Sequence, residues 1–222
     1  MPGAPSTPRP AAPRAIVATL LALTVTTGVV DAVCYLGLGR VFTANMTGNV
    51  VLLGFGLAGT DGLPVLAPLV SLGAFALGAG VGGALIRRHG APRLHVALVC
   101  EAALATAATI VCAAVHIRGG TVVAGVVIAL LASAMGLRNA IVRKLAVPEL
   151  TTTVLTMTIT GLAADGAAAA RSHVRRLTAL VAMIAGAFVG ALLVRHTLWV
   201  PLALVAATAL ALTRAAATSS SR

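Results

Sequence analysis

The sequence predicts an all-α integral membrane protein. It would have six transmembrane helices in two inverted three-helix repeats, each repeat with one re-entrant or broken half-helix. Three observations predict this. The 222 residues are 59% hydrophobic and 9% charged, against roughly 25% charged in a soluble domain, so polar surface is too scarce to cover a globule in water. Apolar segments of about 20 residues, the length that spans a bilayer core, recur along the chain. The two halves also match each other at a constant offset of 108 residues.

Taken in order, residues 1–14 are rich in proline and small residues and predict a disordered cytoplasmic tail. The first membrane repeat is assigned to 15–116 and the second to 121–214, with a cytoplasmic tail at 215–222. The first span covers 15–38. It is longer than a signal-peptide core and contains Asp31, so it reads as a retained span. Leu38–Gly62 follows, polar at its front and apolar but short at its back. The next spans are Leu63–Ile86, Leu94–Val115 and Thr121–Ala140. A second polar stretch, Leu145–Asp165, sits at the corresponding place in the second half. Leu177–Val194 and Leu198–Leu212 complete the set.

Eight apolar segments do not imply eight crossings. With the N-terminus inside and all eight crossing, the 16 Lys and Arg split evenly between the two sides. If the two polar stretches instead enter and leave on one side, 13 fall inside and only Arg40, Arg118 and Arg195 fall outside. The positive-inside bias favours six spans with both termini cytoplasmic. The net charge of +11 is explained by these loop cations. No basic patch alternates with aromatics, so no nucleic acid is expected as a partner.

The repeat rests on residues that chance supplies poorly. Gly78-Ala79, Val81-Gly82, Leu85 and Arg87 recur as Gly186-Ala187, Val189-Gly190, Leu193 and Arg195. Gly28 falls on Gly136, Asp31 on Asn139 and Thr43 on Thr151. Three spans per unit is an odd number, so the second unit runs across the membrane in the opposite sense. Inverted repeats with interrupted segments at equivalent positions point to a transporter-like site near the midplane. The glycine pairs are small-xxx-small packing motifs, expected to hold their helices against the re-entrant stretches.

Candidate substrate-binding residues follow from this arrangement. Asp31 is an ionisable group inside a span, which is costly and marks function by default. It could serve as ion or proton partner, pair with Arg40 or Arg138, or cap the descent of the polar stretch. Asn45, Thr47 and Asn49 alternate, so an extended chain would present all three on one face. Thr43, Asn139, Thr151, Thr152, Thr153 and Thr156 complete the set. Glu101 is expected to snorkel toward Arg93 or to pair with Arg138 or Arg143. Cys34, Cys100 and Cys112 lie in apolar segments without ligand spacing and read as packing residues. No metal, cofactor or enzyme signature is present, and the histidines cluster at segment ends.

The run Gly28-Val-Val-Asp31-Ala32, followed by Leu36-Gly-Leu-Gly-x-Val-Phe42-Thr-Ala-Asn45-Met-Thr-Gly-Asn49-Val-Val51, resembles the opening motif of the YoaK family of bacterial membrane proteins. Met135-Gly-Leu-x-Asn139-Ala140, with Val147-Pro148-x-Leu150-Thr-Thr-Thr-Val154-x-Thr156, resembles its second motif. The resemblance implies a six-span bacterial inner-membrane protein of unknown function, and it supplies no substrate. The sequence departs from the pattern at Arg40, where a small residue is expected.

The expected function is a secondary transporter for a small polar solute or ion, in contact with membrane lipid and in keeping with a homodimer. The competing class is a non-transporting membrane scaffold or partner-binding protein.

Overall fold

The structure, a computed structural model, describes residues 14–90, 93–115, 117–145, 159–160 and 170–219. Thr151, Thr152, Thr153 and Thr156 therefore lie outside the described residues, as do Pro148 and Asp165.

Helix α1 (Arg14–Val33) continues into a wide π turn at Cys34–Gly39. After it come α2 (Met46–Leu57), α3 (Leu66–His89), α4 (Leu94–Ala114), α5 (Val122–Leu145), α6 (Ala170–Val194) and α7 (Trp199–Ser219). Among the described residues, five stretches are long and apolar enough to cross a membrane: Ala15–Gly39, Leu66–His89, Leu94–Ala114, Val122–Leu145 and His173–Val194. Met46–Leu57 and Trp199–Arg214 are shorter apolar helices. The sixth expected span falls in the second of these.

The helix limits follow from local chemistry. Pro68 and Pro201 sit in the first turns of α3 and α7, where a missing N–H costs nothing. The Thr121 hydroxyl oxygen accepts the Ala124 N–H at 3.3 Å and so caps α5. Gly90, at φ 70°, closes α3 in the left-handed conformation. Arg40 adopts the same region, φ 53°, and is the one non-glycine residue to do so among the described residues. The small residue expected there suits this backbone.

The helices gather at two ends. At one, Arg40 Nη1 donates to the Gly62 carbonyl at 3.3 Å, and Gly120 N–H donates to the Leu38 carbonyl at 3.4 Å. At the other, Ile16, Leu94, Leu145 and Leu212 pack round a cluster that includes Leu98 and Val142. Residues 40 to 62 thus leave one end and return to it, with α2 as the returning limb. At 1.5 Å per residue its 12 residues span roughly 18 Å, about half the bundle.

Glycines set how the long helices pair. A β-carbon on Gly78 would collide with the backbone of Ser133 on α5, and one on Gly136 with the backbone of Phe75 and Ala79 on α3. A β-carbon on Gly186 would collide with the backbone of Val25 on α1, and one on Gly28 with the backbone of Met183 and Ala187 on α6. Gly82 abuts Leu137 and Ala140, and Gly190 abuts Val29 and Ala32. Each of these glycine contacts between α1 and α6 is thus matched by one between α3 and α5 displaced by 108 positions. The glycine motifs therefore hold each outer helix against the central helix of the other half. The expected partner, the re-entrant stretch, is corrected by this contact. The nearest atoms to all four motif glycines belong to α5 or α1, and small residues let those backbones approach closely.

Candidate functional site

The chain between Arg40 and Asn45 is irregular and sits beside buried apolar residues. Its backbone groups must find partners inside the protein, because lipid offers none. Asp31 satisfies two of them and one hydroxyl. Its Oδ1 accepts the N–H of Thr43 at 2.8 Å, the Thr43 hydroxyl at 3.1 Å and the N–H of Ala44 at 3.2 Å. Asn49 supplies more. Its Oδ1 accepts the Phe42 N–H at 2.9 Å, and its Nδ2 donates to the Phe42 carbonyl at 2.7 Å, so the carboxamide pairs with that residue as a neighbouring peptide would. Ser71, reaching from α3, donates to the same carbonyl at 2.6 Å and accepts from Asn49 Nδ2 at 3.1 Å.

This geometry corrects one expectation. Asn45 ends the extended chain, because its side chain accepts the Gly48 N–H at 3.2 Å and starts a helix. From Met46 onward the period is 3.6, so Thr47 and Asn49 point to different sides: Thr47 is exposed and Asn49 is fully buried. The predicted residues thus divide. Asp31, Thr43 and Asn49 fasten the descent, whereas Asn45, Thr47 and Asn139 border a cleft of about 720 Å³.

That cleft lies between α3 and α5 against the first turn of α2. Phe75, Ala79, Gly83 and Ala140 line its depth, and Arg87, Arg143 and Lys144 stand at its mouth. A second hollow, of about 800 Å³, opens at the opposite end of the molecule beside Tyr35, Arg40, Gly62 and Gly119. Between the two runs the fastened descent, with Val41 and Thr43 fully buried.

A polar knot ties the central helices together. Arg138 of α5 is 1% exposed and pairs with Glu101 of α4, Nη1 to Oε1, at 2.8 Å. Its guanidinium also donates to the hydroxyls of Thr26, at 3.3 Å, and Thr27. Both threonines direct their own protons to the Leu23 carbonyl, which leaves their oxygens free to accept. Glu101 Oε2, Arg138 Nε and Asp31 Oδ2 are buried and have no hydrogen-bond partner among the described residues. The pairing of Glu101 with Arg138 is one of the two foreseen. Asp31 takes the capping role, and Arg40 turns instead to Gly62.

Sequence reasoning did not bring Arg87, Arg143 and Lys144 together at a cleft; they count there as loop cations, with Arg87 also in the repeat and Arg143 also a candidate partner of Glu101. It also missed Ser71. The available signal was the small-residue run Ala79–Gly83, which opens a cleft one turn from Arg87. Replacing Thr43 with valine removes one donor to Asp31 and leaves both backbone donors in place. Thermal melting in detergent is expected to show a loss of about 1 kcal/mol.

The family model described as "Protein of unknown function (DUF1275)" matches residues 19–215. The chain is similar to the UPF0700 transmembrane protein YoaK of Bacillus subtilis (strain 168), with 33% identity over 128 residues. That similarity covers 57% of this chain and 57% of the relative, a little over half of each. No solved structure matches.

Proposed function

The chain belongs to the DUF1275 family of membrane proteins, and we propose that it is a secondary transporter of the bacterial inner membrane, moving a small polar solute or ion by alternating access. The observation that carries this reading is the pair of hollows at opposite ends, parted by the fastened descent from Arg40 to Asn45. A scaffold needs neither hollow.

Six crossings with cytoplasmic termini fit the placement of charge. Basic residues occupy the last turns of α3 and α5. Arg40 lies at the other end, by Gly62 and close to the loop that carries Arg118. The displacement-matched glycine contacts support two inverted repeats, since each half clasps the other in the same way. Inversion gives the two hollows a simple relation: rocking one half against the other opens one and closes its counterpart.

Asp31 is the coupling group in this reading. Two buried carboxylates, Asp31 and Glu101, are accompanied by one buried guanidinium, Arg138, among the described residues. A buried charge without a partner is costly, and among the described residues Arg138 pairs with Glu101, which leaves Asp31 without an ion-pair partner. Oδ2 of Asp31 is buried and has no hydrogen-bond partner among the described residues.

Purified protein in liposomes, screened across anions, cations and neutral metabolites, tests the proposal. Gradient-dependent uptake of one class is expected, with the dependence on proton or cation gradient abolished in Asp31→Asn. Absence of flux for every solute, with Asn45→Ala and Asp31→Asn indistinguishable from the parent in cells, would favour the scaffold. The topology has its own check: cysteines at Arg40 and Arg93 should label from opposite sides of intact cells.

A further inference from the structure

Three cations surround the cleft of about 720 Å³: Arg87 from α3, and Arg143 and Lys144 from α5. None of its described lining residues is acidic. Arg87 does not simply reach outward from its helix end. Its Nη1 lies 3.4 Å from where a Gly83 β-carbon would sit, one turn deeper along α3. Glycine at 83 and alanines at 79 and 140 keep that space open. Cations that only anchor a helix end at the lipid surface need no cavity between them.

The opposite wall adds to the same sign of potential. Helix α2, 12 residues long, starts against the cleft at Met46 and turns the positive end of its dipole there. Asn45 takes the Gly48 and Asn49 N–H groups with its side chain and its carbonyl. The remaining first-turn residues, Met46 and Thr47, line the cleft, and the N–H groups at that position have no partner within a helix. The cleft volume lies in the range of small-molecule pockets, roughly 300–1,000 Å³.

We propose that this cleft binds an oxyanion, a carboxylate or phosphate group, held by Arg87, Arg143 and Lys144 and oriented by Thr47 and Asn139. The proposal rests on the transport reading and names its substrate class as anionic. A soluble carboxylate or phosphate carries the required group, and so does the phosphodiester of an anionic lipid.

The full chain in neutral detergent is melted with succinate, with inorganic phosphate, with choline as a cationic control, and in nanodiscs with or without phosphatidylglycerol. Saturable stabilisation by succinate or phosphate is expected, and none by choline. Arg143→Gln/Lys144→Gln should weaken the apparent affinity about tenfold or more. Arg88→Gln, a neighbouring charge outside the cleft, should leave it unchanged. If the double variant fails to fold, Arg87→Gln carries the same comparison. Stabilisation confined to phosphatidylglycerol and lost in the cleft variants assigns the oxyanion to a lipid headgroup and removes the substrate claim. No response to any of the three anionic probes, or an equal effect of Arg88→Gln, overturns the site. Flux separates the two readings: uptake limited to neutral or cationic solutes keeps the transporter and discards the anion. Anion binding without any flux does the reverse.

Discussion

Arg138→Met is expected to destabilise the protein by about 3–5 kcal/mol, the cost of leaving a buried charge without its partner. The reason lies in the surroundings of Glu101, which is 1% exposed and has Arg138 as its ion-pair partner at 2.8 Å. Removing the guanidinium also strips Thr26 and Thr27 of a donor. The double variant Arg138→Met/Glu101→Leu should recover most of the loss, because replacing a whole buried pair with apolar side chains of similar volume is often neutral or stabilising. Chemical or thermal unfolding in detergent reads both. A double variant as unstable as the single one would show that the knot works through the threonines and not through the ion pair.

The second large effect concerns the glycines. Gly78→Ala and Gly186→Ala should each cost about 1–3 kcal/mol, since the added carbon meets backbone and cannot be relieved by a side-chain rotation. Gly80, two positions from Gly78, has nothing within 4 Å of an added β-carbon. Gly80→Ala should be neutral or stabilising by about 0.5–1 kcal/mol, as alanine limits the unfolded chain. Melting temperatures of the three variants decide the matter. Equal behaviour of Gly78→Ala and Gly80→Ala would mean that α3 does not approach α5 as closely as the structure has it.

The bundle was largely legible in the sequence because lipid imposes long apolar runs and loops collect the cations. The limits of α4 match to within a residue for that reason. Legibility failed where tertiary contacts decide. Arg138 looks like a loop anchor because it closes an apolar run, yet α5 continues to Leu145 and Arg138 is buried two turns before its end. Hydropathy sees a charge and cannot see Glu101 waiting on another helix. Likewise, Asn45, Thr47 and Asn49 alternate in a way that suits an extended chain, and only the cap made by Asn45 shifts the period. The fastening role of Asp31 was among the stated alternatives, but choosing it needed the backbone of Thr43 and Ala44 in place. The cleft was not legible: the glycines beside it read as helix-packing motifs, and the direction of its cations depends on the space that Gly83 leaves.

The matched glycine contacts bear on how the protein is made. When the ribosome has released only the first half, the grooves of α1 around Gly28 and of α3 around Gly78 are already formed, but the helices that fill them, α6 and α5, do not yet exist. The nascent half must wait in the membrane with those grooves unfilled. Either half expressed alone should be a substrate for membrane quality control, whereas two separately encoded halves could still assemble if they are synthesised together.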